Sequence, residues 1–291
     1  MFSGSIPALV TPFYDGAFSE KHFRALIDRQ IEQGSSALVP TGTTGEASTL
    51  SNAEHHRVIE VCIEQAAGRV PVIAGCGSND TTNAILHLNF SKKSGAAAGL
   101  VVAPYYNRPN QEGIYEHFHR MTEKSDLPIV LYNVPARTVT DIEPKTVADL
   151  AKLPTIIGIK DASGHLQRVT DHRLACPKDF CQLSGVDELS LAFNASGGVG
   201  CISVTANVAP MLCAEFQAAC ATGNYDLARD LNDKLYPLHL ALFSDASPGP
   251  IKYALSRVIE GFPTELRLPM TPPSEASRRE VDAALENAGL I

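Results

Sequence analysis

A lysine with apolar chain neighbours is out of place in a water-soluble sequence. Lys160 closes the run Ile156-Ile157-Gly158-Ile159, whereas Lys21, Lys92, Lys93, Lys124, Lys145, Lys152, Lys178, Lys234 and Lys252 fall mostly in helical or polar stretches. Desolvation in such a run disfavours the ammonium. A neutral amine attacks a ketone and forms an imine. The alternative is a structural pairing with Asp161 or another carboxylate, and on this residue alone the two readings are evenly balanced. Tyr132 closes a second apolar run, 128–132. If the two runs are neighbouring strands, about 4.8 Å apart, its phenol stands beside the amine and can exchange a proton with a carbinolamine. The competing reading is an aromatic plug in the core.

Two further segments carry polar chemistry. Gly42-Thr43-Thr44-Gly45-Glu46 sets two hydroxyls between two glycines ahead of a helix. Such a loop suits a carboxylate or a phosphate. It lacks the lysine of a P-loop, and alone it reads most simply as a tight turn. Arg137, in Tyr132-Asn133-Val134-Pro135-Ala136-Arg137-Thr138, can grip a carboxylate with two parallel hydrogen bonds. By itself it reads as a solvated surface arginine. No metal site is expected. His55 and His56 are adjacent on a helix, His117 and His119 diverge by about 200°, and neither pair has the i, i+4 spacing of a helical zinc site. All nine histidines read as surface or satisfied groups.

The elements that position these residues follow from periodicity. Eight short runs rich in Val, Ile or Leu, at 6–10, 37–40, 70–74, 99–103, 128–132, 156–159, 181–184 and 200–204, suit strands buried on both faces of a parallel sheet. Between them, apolar residues recur at helical spacing, as in Phe23, Leu26, Ile27 and Ile31. Gly34 and Gly95 stand where helices should end. Eight strand–helix units predict a (β/α)8 TIM barrel. An open doubly wound sheet is the other architecture, but no glycine-rich dinucleotide fingerprint follows the first run. After Ala221 the spacing predicts helices over 225–242, 250–259 and 274–288 with no strands between. The expected division is therefore a barrel domain, 1–224, and a C-terminal helical extension, 225–291. In such a barrel, reacting groups sit at the C-terminal strand ends. Those ends are occupied by Thr11, Thr43-Thr44, Ser78-Asn79, Tyr105-Tyr106-Asn107, Tyr132-Asn133, Lys160-Asp161, Gly185 and Ser203.

Composition narrows the classes. The chain is 44% hydrophobic and 19% charged over 291 residues, an ordinary globular balance. A net charge of -8 with no Lys/Arg run longer than a pair argues against a nucleic-acid partner. Seven cysteines without a CxxC pair read as reduced thiols. The first residues lack the basic and apolar regions of a secretory signal, and no run approaches the ~18 apolar residues of a spanning helix. A cytoplasmic protein without a membrane partner is expected.

Five segments together resemble signature segments of the dihydrodipicolinate synthase family. They are Gly42-Thr43-Thr44-Gly45-Glu46, Tyr132 to Thr138, Ile157-Gly158-Ile159-Lys160-Asp161, Pro104-Tyr105-Tyr106-Asn107-Arg108-Pro109, and Leu266-Arg267-Leu268-Pro269-Met270-Thr271-Pro272. The resemblance implies a class I aldolase-type lyase that condenses pyruvate with L-aspartate 4-semialdehyde to 4-hydroxy-tetrahydrodipicolinate, in lysine biosynthesis via diaminopimelate, with no cofactor. It implies Lys160 as the Schiff-base residue and Tyr132 as proton donor and acceptor. Thr43 would link Tyr132 to Tyr106 in a relay. Tyr106 would come from a neighbouring subunit, making a dimer the minimal active unit and a homotetramer the usual assembly. Thr44 would bind the pyruvate carboxylate, Arg137 the semialdehyde carboxylate, and Gly185 and Ile202 the substrate through the main chain. Relatives that cleave sialic or sugar acids keep the lysine and tyrosine but generally lack an arginine matching Arg137, which favours the synthase over such a lyase. A non-catalytic keto-acid-binding barrel would be expected to lose Lys160 or Tyr132. The positions matching the family's lysine-feedback site are Ser48, Asn52, His55, Asn79, Asn83 and Tyr105. Lysine-binding members tend to carry histidine at the position of Asn52 and glutamate at that of Asn83, so weak or absent feedback is expected.

Overall fold

The computed structural model describes residues 2–291. The chain opens with strand β1 (Gly4–Pro7), a hairpin of β2 (Phe13–Tyr14) and β3 (Ala17–Phe18), and helices α1 (Glu20–Glu32) and α2 (Asn52–Ala66). Strands and helices then alternate through β4 (Ile73–Gly75), α3 (Thr81–Ser94), β5 (Ala98–Val102), α4 (Gln111–Lys124), β6 (Ile129–Asn133), α5 (Pro135–Thr138) and α6 (Pro144–Leu150). They continue with β7 (Ile156–Asp161), α7 (Gln167–Ala175), β8 (Cys181–Ser184), α8 (Ser190–Ala195) and β9 (Gly200–Ser203). Helices α9 (Pro210–Ala221), α10 (Tyr225–Ala241), α11 (Gly249–Val258) and α12 (Glu275–Ala288) complete it.

The chain divides into two units. One comprises residues 2–3 with Ile73–Ile202, the other Gly4–Val72 with Ser203–Ile291. In the first unit, β4 to β9 pair in parallel with their sequence neighbours. Their residues are almost all buried, as the near-continuous apolar runs require. Gly158 is dictated by its neighbour: a Cβ there would lie 2.4 Å from the Cys181 carbonyl oxygen. Helix α3 is capped by Asp80, whose side chain accepts from the Thr82 N–H, and ends on Gly95 at φ 100°.

In the second unit, α1 buries Phe23, Leu26 and Ile27. Helix α2 starts on a capping box in which Ser51 Oγ accepts from the Glu54 N–H and Glu54 Oε2 accepts from the Ser51 N–H. The helices after Tyr225 follow the expected 225–242, 250–259 and 274–288 closely. The run at 37–40 pairs in parallel on both sides as expected, but briefly, through bridges of Ala8 with Val39 and Leu38 with Val72. Pro40 has no N–H to extend a ladder, and Thr41 turns to φ 54°. The β2–β3 hairpin was not expected. Its signal is Asp15-Gly16, both at positive φ, a preferred two-residue hairpin turn.

None of the seven cysteines is in a disulfide, and only Cys176 is not buried.

Candidate active site

Lys160 and Tyr132 are register partners. Strands β6 and β7 place Tyr132 opposite Lys160 and Asn133 opposite Asp161, so the two runs are neighbours as anticipated. Asp161, not Lys160, is the last residue of β7. Lys160 is 6% exposed and Tyr132 8%. The lysine Nζ lies over the tyrosine ring, 4.3 Å from its centroid. Among the described residues no carboxylate lies within ion-pair reach of this Nζ. Asp161, one residue on, points to the other face of the strand and accepts from the Ser163 N–H at 2.7 Å. The structural-pairing reading of Lys160 therefore falls.

Gly185 follows β8 and lies against the lysine stem. A Cβ there would come 3.0 Å from Lys160 Cε, 3.1 Å from its Cγ and 2.8 Å from the Ala162 Cβ. Its N–H already donates to the Asp161 carbonyl at 2.7 Å, which leaves its carbonyl, not its N–H, for a ligand. Ile202 is buried in β9.

Arg137 sits on the short helix α5, begun by Pro135 at a position where a missing N–H is tolerated. Its side chain is exposed and makes no hydrogen bond or ion pair among the described residues. The loop that carries it is clamped at its base. Asn133 Nδ2 donates to Asp141 Oδ1 (2.8 Å), and Asn133 Oδ1 accepts from the Ile142 N–H (3.0 Å). Arg168 grips both Asp141 oxygens, at 2.7 and 2.6 Å. Burial works to raise the Asp141 pKa, but the bonds from Arg168 and Asn133 outweigh it and hold the carboxyl below its ordinary range. Val139 ends α5 at φ 56°, an uncommon conformation for a β-branched residue.

After β5, Tyr106 is 91% exposed at φ 73°. Within its own unit it does not reach the Lys160–Tyr132 pair. Asn79 Nδ2 donates to the Tyr105 carbonyl, and Asn107 Nδ2 to the Asn79 carbonyl. The Asn83 amide lies 3.3 Å from His87 Nε2.

In the second unit, Thr43 is exposed and Thr44 buried. Thr11 Oγ1 donates to the Gly45 carbonyl at 2.7 Å. Glu46 is buried at φ 53°, and its Oε1 accepts from Lys252 Nζ at 2.6 Å. Lys252 is 0% exposed. This buried lysine escaped the reading of the sequence, which grouped it with lysines of polar stretches. Its signal lies in Ile251, Ala254 and Leu255, apolar neighbours on one helix turn. Ser48 and Asn52 are exposed, and His55 is buried.

The histidines need two corrections. His117 and His172 are buried, and His117 Nε2 and both ring nitrogens of His172 have no hydrogen-bond partner, because α4 and α7 turn these rings inward, so neither is a surface or a fully satisfied group. Among the described residues no group of three or more His, Cys, Asp or Glu side chains is placed to hold a metal ion.

A parallel α/β fold with a buried, unpaired lysine set against a tyrosine at matched strand positions defines a lyase of the class I aldolase type. The model of the dihydrodipicolinate synthetase family matches residues 1–288, and the chain belongs to that family. The 4-hydroxy-tetrahydrodipicolinate synthase of Novosphingobium aromaticivorans is 73% identical over 293 residues, covering 100% of this chain and 99% of its own. A chloride-inhibited dihydrodipicolinate synthase from Acinetobacter baumannii, solved with pyruvate, matches at 42% identity with a TM-score of 0.97 over 100% of both chains. A monomeric dihydrodipicolinate synthase variant matches at 37% identity and TM-score 0.96, over 100% of this chain and 98% of its own. The fold class is accordingly the (β/α)8 TIM barrel of those structures, with helices at the C-terminal end. No helix among the described residues is long and apolar enough to cross a membrane.

Proposed function

We propose that this chain condenses pyruvate with L-aspartate 4-semialdehyde to 4-hydroxy-tetrahydrodipicolinate, with Lys160 as the Schiff-base residue and Tyr132 as its proton partner. The observation that carries the reading is the buried Lys160 amine, free of any carboxylate and set over the Tyr132 ring. The amine adds to the ketone carbon of pyruvate, water leaves, and a protonated imine forms. That imine is an electron sink, so a C3 proton departs and the resulting enamine attacks the aldehyde carbon. The amino group of the semialdehyde then attacks the imine carbon, closes the ring and returns lysine as the free amine. Tyr132 moves the protons of carbinolamine formation and loss.

Thr44 takes the pyruvate carboxylate. Arg137, exposed and unpaired, takes the carboxylate of the second substrate. Gly185 and Ile202 contact substrate through the main chain, and Thr43 connects Tyr132 to Tyr106. The 91% exposure of Tyr106 supports its donation to a neighbouring subunit, in a dimer at least and a homotetramer in full. We keep 1–224 as the barrel domain and 225–291 as its helical extension, in a cytoplasmic enzyme. Weak or absent lysine feedback follows from Asn83, whose neutral amide gives a ligand ammonium no charge partner.

The test is to incubate the protein with pyruvate, reduce with borohydride and weigh it. A reduced pyruvate adduct on wild type that is missing from Lys160→Ala supports the Schiff base, and its absence from wild type refutes it. Tyr132→Phe should lower kcat by about 10²–10⁴-fold. Turnover with aspartate semialdehyde but not N-acetylneuraminate separates the synthase from a sugar-acid lyase.

A further inference from the structure

Two of the signature segments, the Glu46 end of 42–46 and the Arg267 segment at 266–272, have no part in the chemistry above. In the second unit they meet through one buried lysine. Glu46 Oε1 accepts from Lys252 Nζ at 2.6 Å, and Glu46 Oε2 accepts from the Arg267 N–H at 3.1 Å. The side chains of Lys252 and Glu46 are 0% and 2% exposed. Lys252 Nζ also donates to the Glu265 carbonyl at 2.7 Å. Lys252 Nζ and the Arg267 guanidinium each lie over the Phe13 ring, 4.3 Å from its centroid. The Arg267 guanidinium continues to both Glu54 oxygens, at 3.0 and 2.5 Å, and to the Thr49 carbonyl at 3.1 Å. The C-terminal end of the 42–46 loop and the segment that follows it are thereby tied to the chain beyond residue 250.

A buried ion pair is a poor source of stability, since desolvation consumes most of the attraction. What it supplies is geometry, because neither charge can move without leaving the other unpaired. Here the fixed residue, Glu46, stands in the left-handed region at φ 53°, a conformation that persists only when its surroundings impose it. The Glu46 N–H donates to the Thr43 carbonyl at 3.1 Å, and Gly45 N–H to the Gly42 carbonyl at 3.1 Å. The backbone of the two threonines therefore hangs directly from the residue that Lys252 holds.

We propose that Glu46 and Lys252 are positioning residues for the loop that receives the pyruvate carboxylate, with α11 and the 266–272 segment as its anchor. This rests on the role given to Thr44 above. It assigns the buried pair to one substrate only.

The experiment compares wild type, Lys252→Met and the charge-free double variant Glu46→Gln/Lys252→Met, each checked for fold by circular dichroism. The pyruvate concentration that half-saturates the borohydride-trapped adduct, and the KM for pyruvate, should rise by roughly tenfold to a hundredfold. The KM for the semialdehyde should stay near that of wild type. A folded variant with wild-type pyruvate half-saturation overturns the assignment, as does an equal loss in both substrates' KM. The double variant leaves no uncompensated buried charge and carries the test if the single variant fails to fold. A variant-free arm uses wild type: saturating pyruvate should slow amide exchange over both 42–47 and 248–268, and protection absent from the latter overturns the proposal. If wild type forms no adduct at all, it is the Schiff-base reading that fails. If wild type forms it and the variants match, only the positioning role fails.

Discussion

At the residue scale, reactivity here is a matter of what is kept away from an amine. The Lys160 side chain is buried without a counter-ion and shares its space with Gly185, where a Cβ would press on Cε at 3.0 Å and on Ala162 at 2.8 Å. Gly185→Ala must therefore displace the amine or the backbone. Overpacking of this kind costs about 1–3 kcal/mol of stability. Misplacing the nucleophile should slow adduct formation with pyruvate by up to about a hundredfold. The rate of borohydride-trappable adduct is the measurement, and a wild-type rate in the alanine variant would show that the glycine does not shape the amine's position. Lys160 and Tyr132 were legible in the sequence because each is a polar group closing an apolar run. Lys252 was not, because a lysine among helical residues is usually solvated and only its partner Glu46, some 200 positions away, reveals that it is buried.

At the scale of elements, the loop between β6 and α6 joins chemistry to scaffold. Its reach toward solvent ends in Arg137, while its base is fixed by Asn133, Asp141 and Arg168 through charged hydrogen bonds of 2.6–2.8 Å. Asp141→Asn removes the charge that holds both Arg168 nitrogens. We expect the KM for the semialdehyde to rise by roughly tenfold, the cost of a small misplacement, with the KM for pyruvate little changed. Steady-state kinetics in each substrate checks this, and equal effects on both would refute a role confined to the arginine loop. The strands themselves were readable from short apolar runs, and the register of Tyr132 with Lys160 from their corresponding ends. The 37–40 run does pair in parallel on both sides, with Ala8 and with Val72, but its ladder is short because Pro40 and the left-handed Thr41 stop it. The Asp141–Arg168 clamp was hidden because its members lie 27 residues apart, and no local spacing links them.

At the scale of the molecule, buried histidines oppose acid, and His117 does so most clearly. His117 is inside, with Nδ1 2.9 Å from Thr81 Oγ1 and Nε2 unpartnered. Burial pushes its pKa down to about 4, against about 6.5 in the unfolded chain. The unfolded state therefore binds a proton that the folded state refuses between these values. The stability it confers is fully present above pH 6.5 and declines as pH falls toward 4, by up to about 3 kcal/mol. Urea denaturation across that window should show the midpoint falling with pH in wild type and more shallowly in His117→Gln; identical slopes would refute the assignment. The seven thiols bear on handling rather than catalysis. Cys176 alone is partly accessible, where α7 turns back toward β8, the opposite end of the sheet from Lys160, and burial raises its pKa to about 11. Few of its thiols ionise at neutral pH. An unmodified chain thus offers a single attachment point for a fluorophore or spin label, reactive under alkaline maleimide or haloacetamide treatment and remote from the bond-making end.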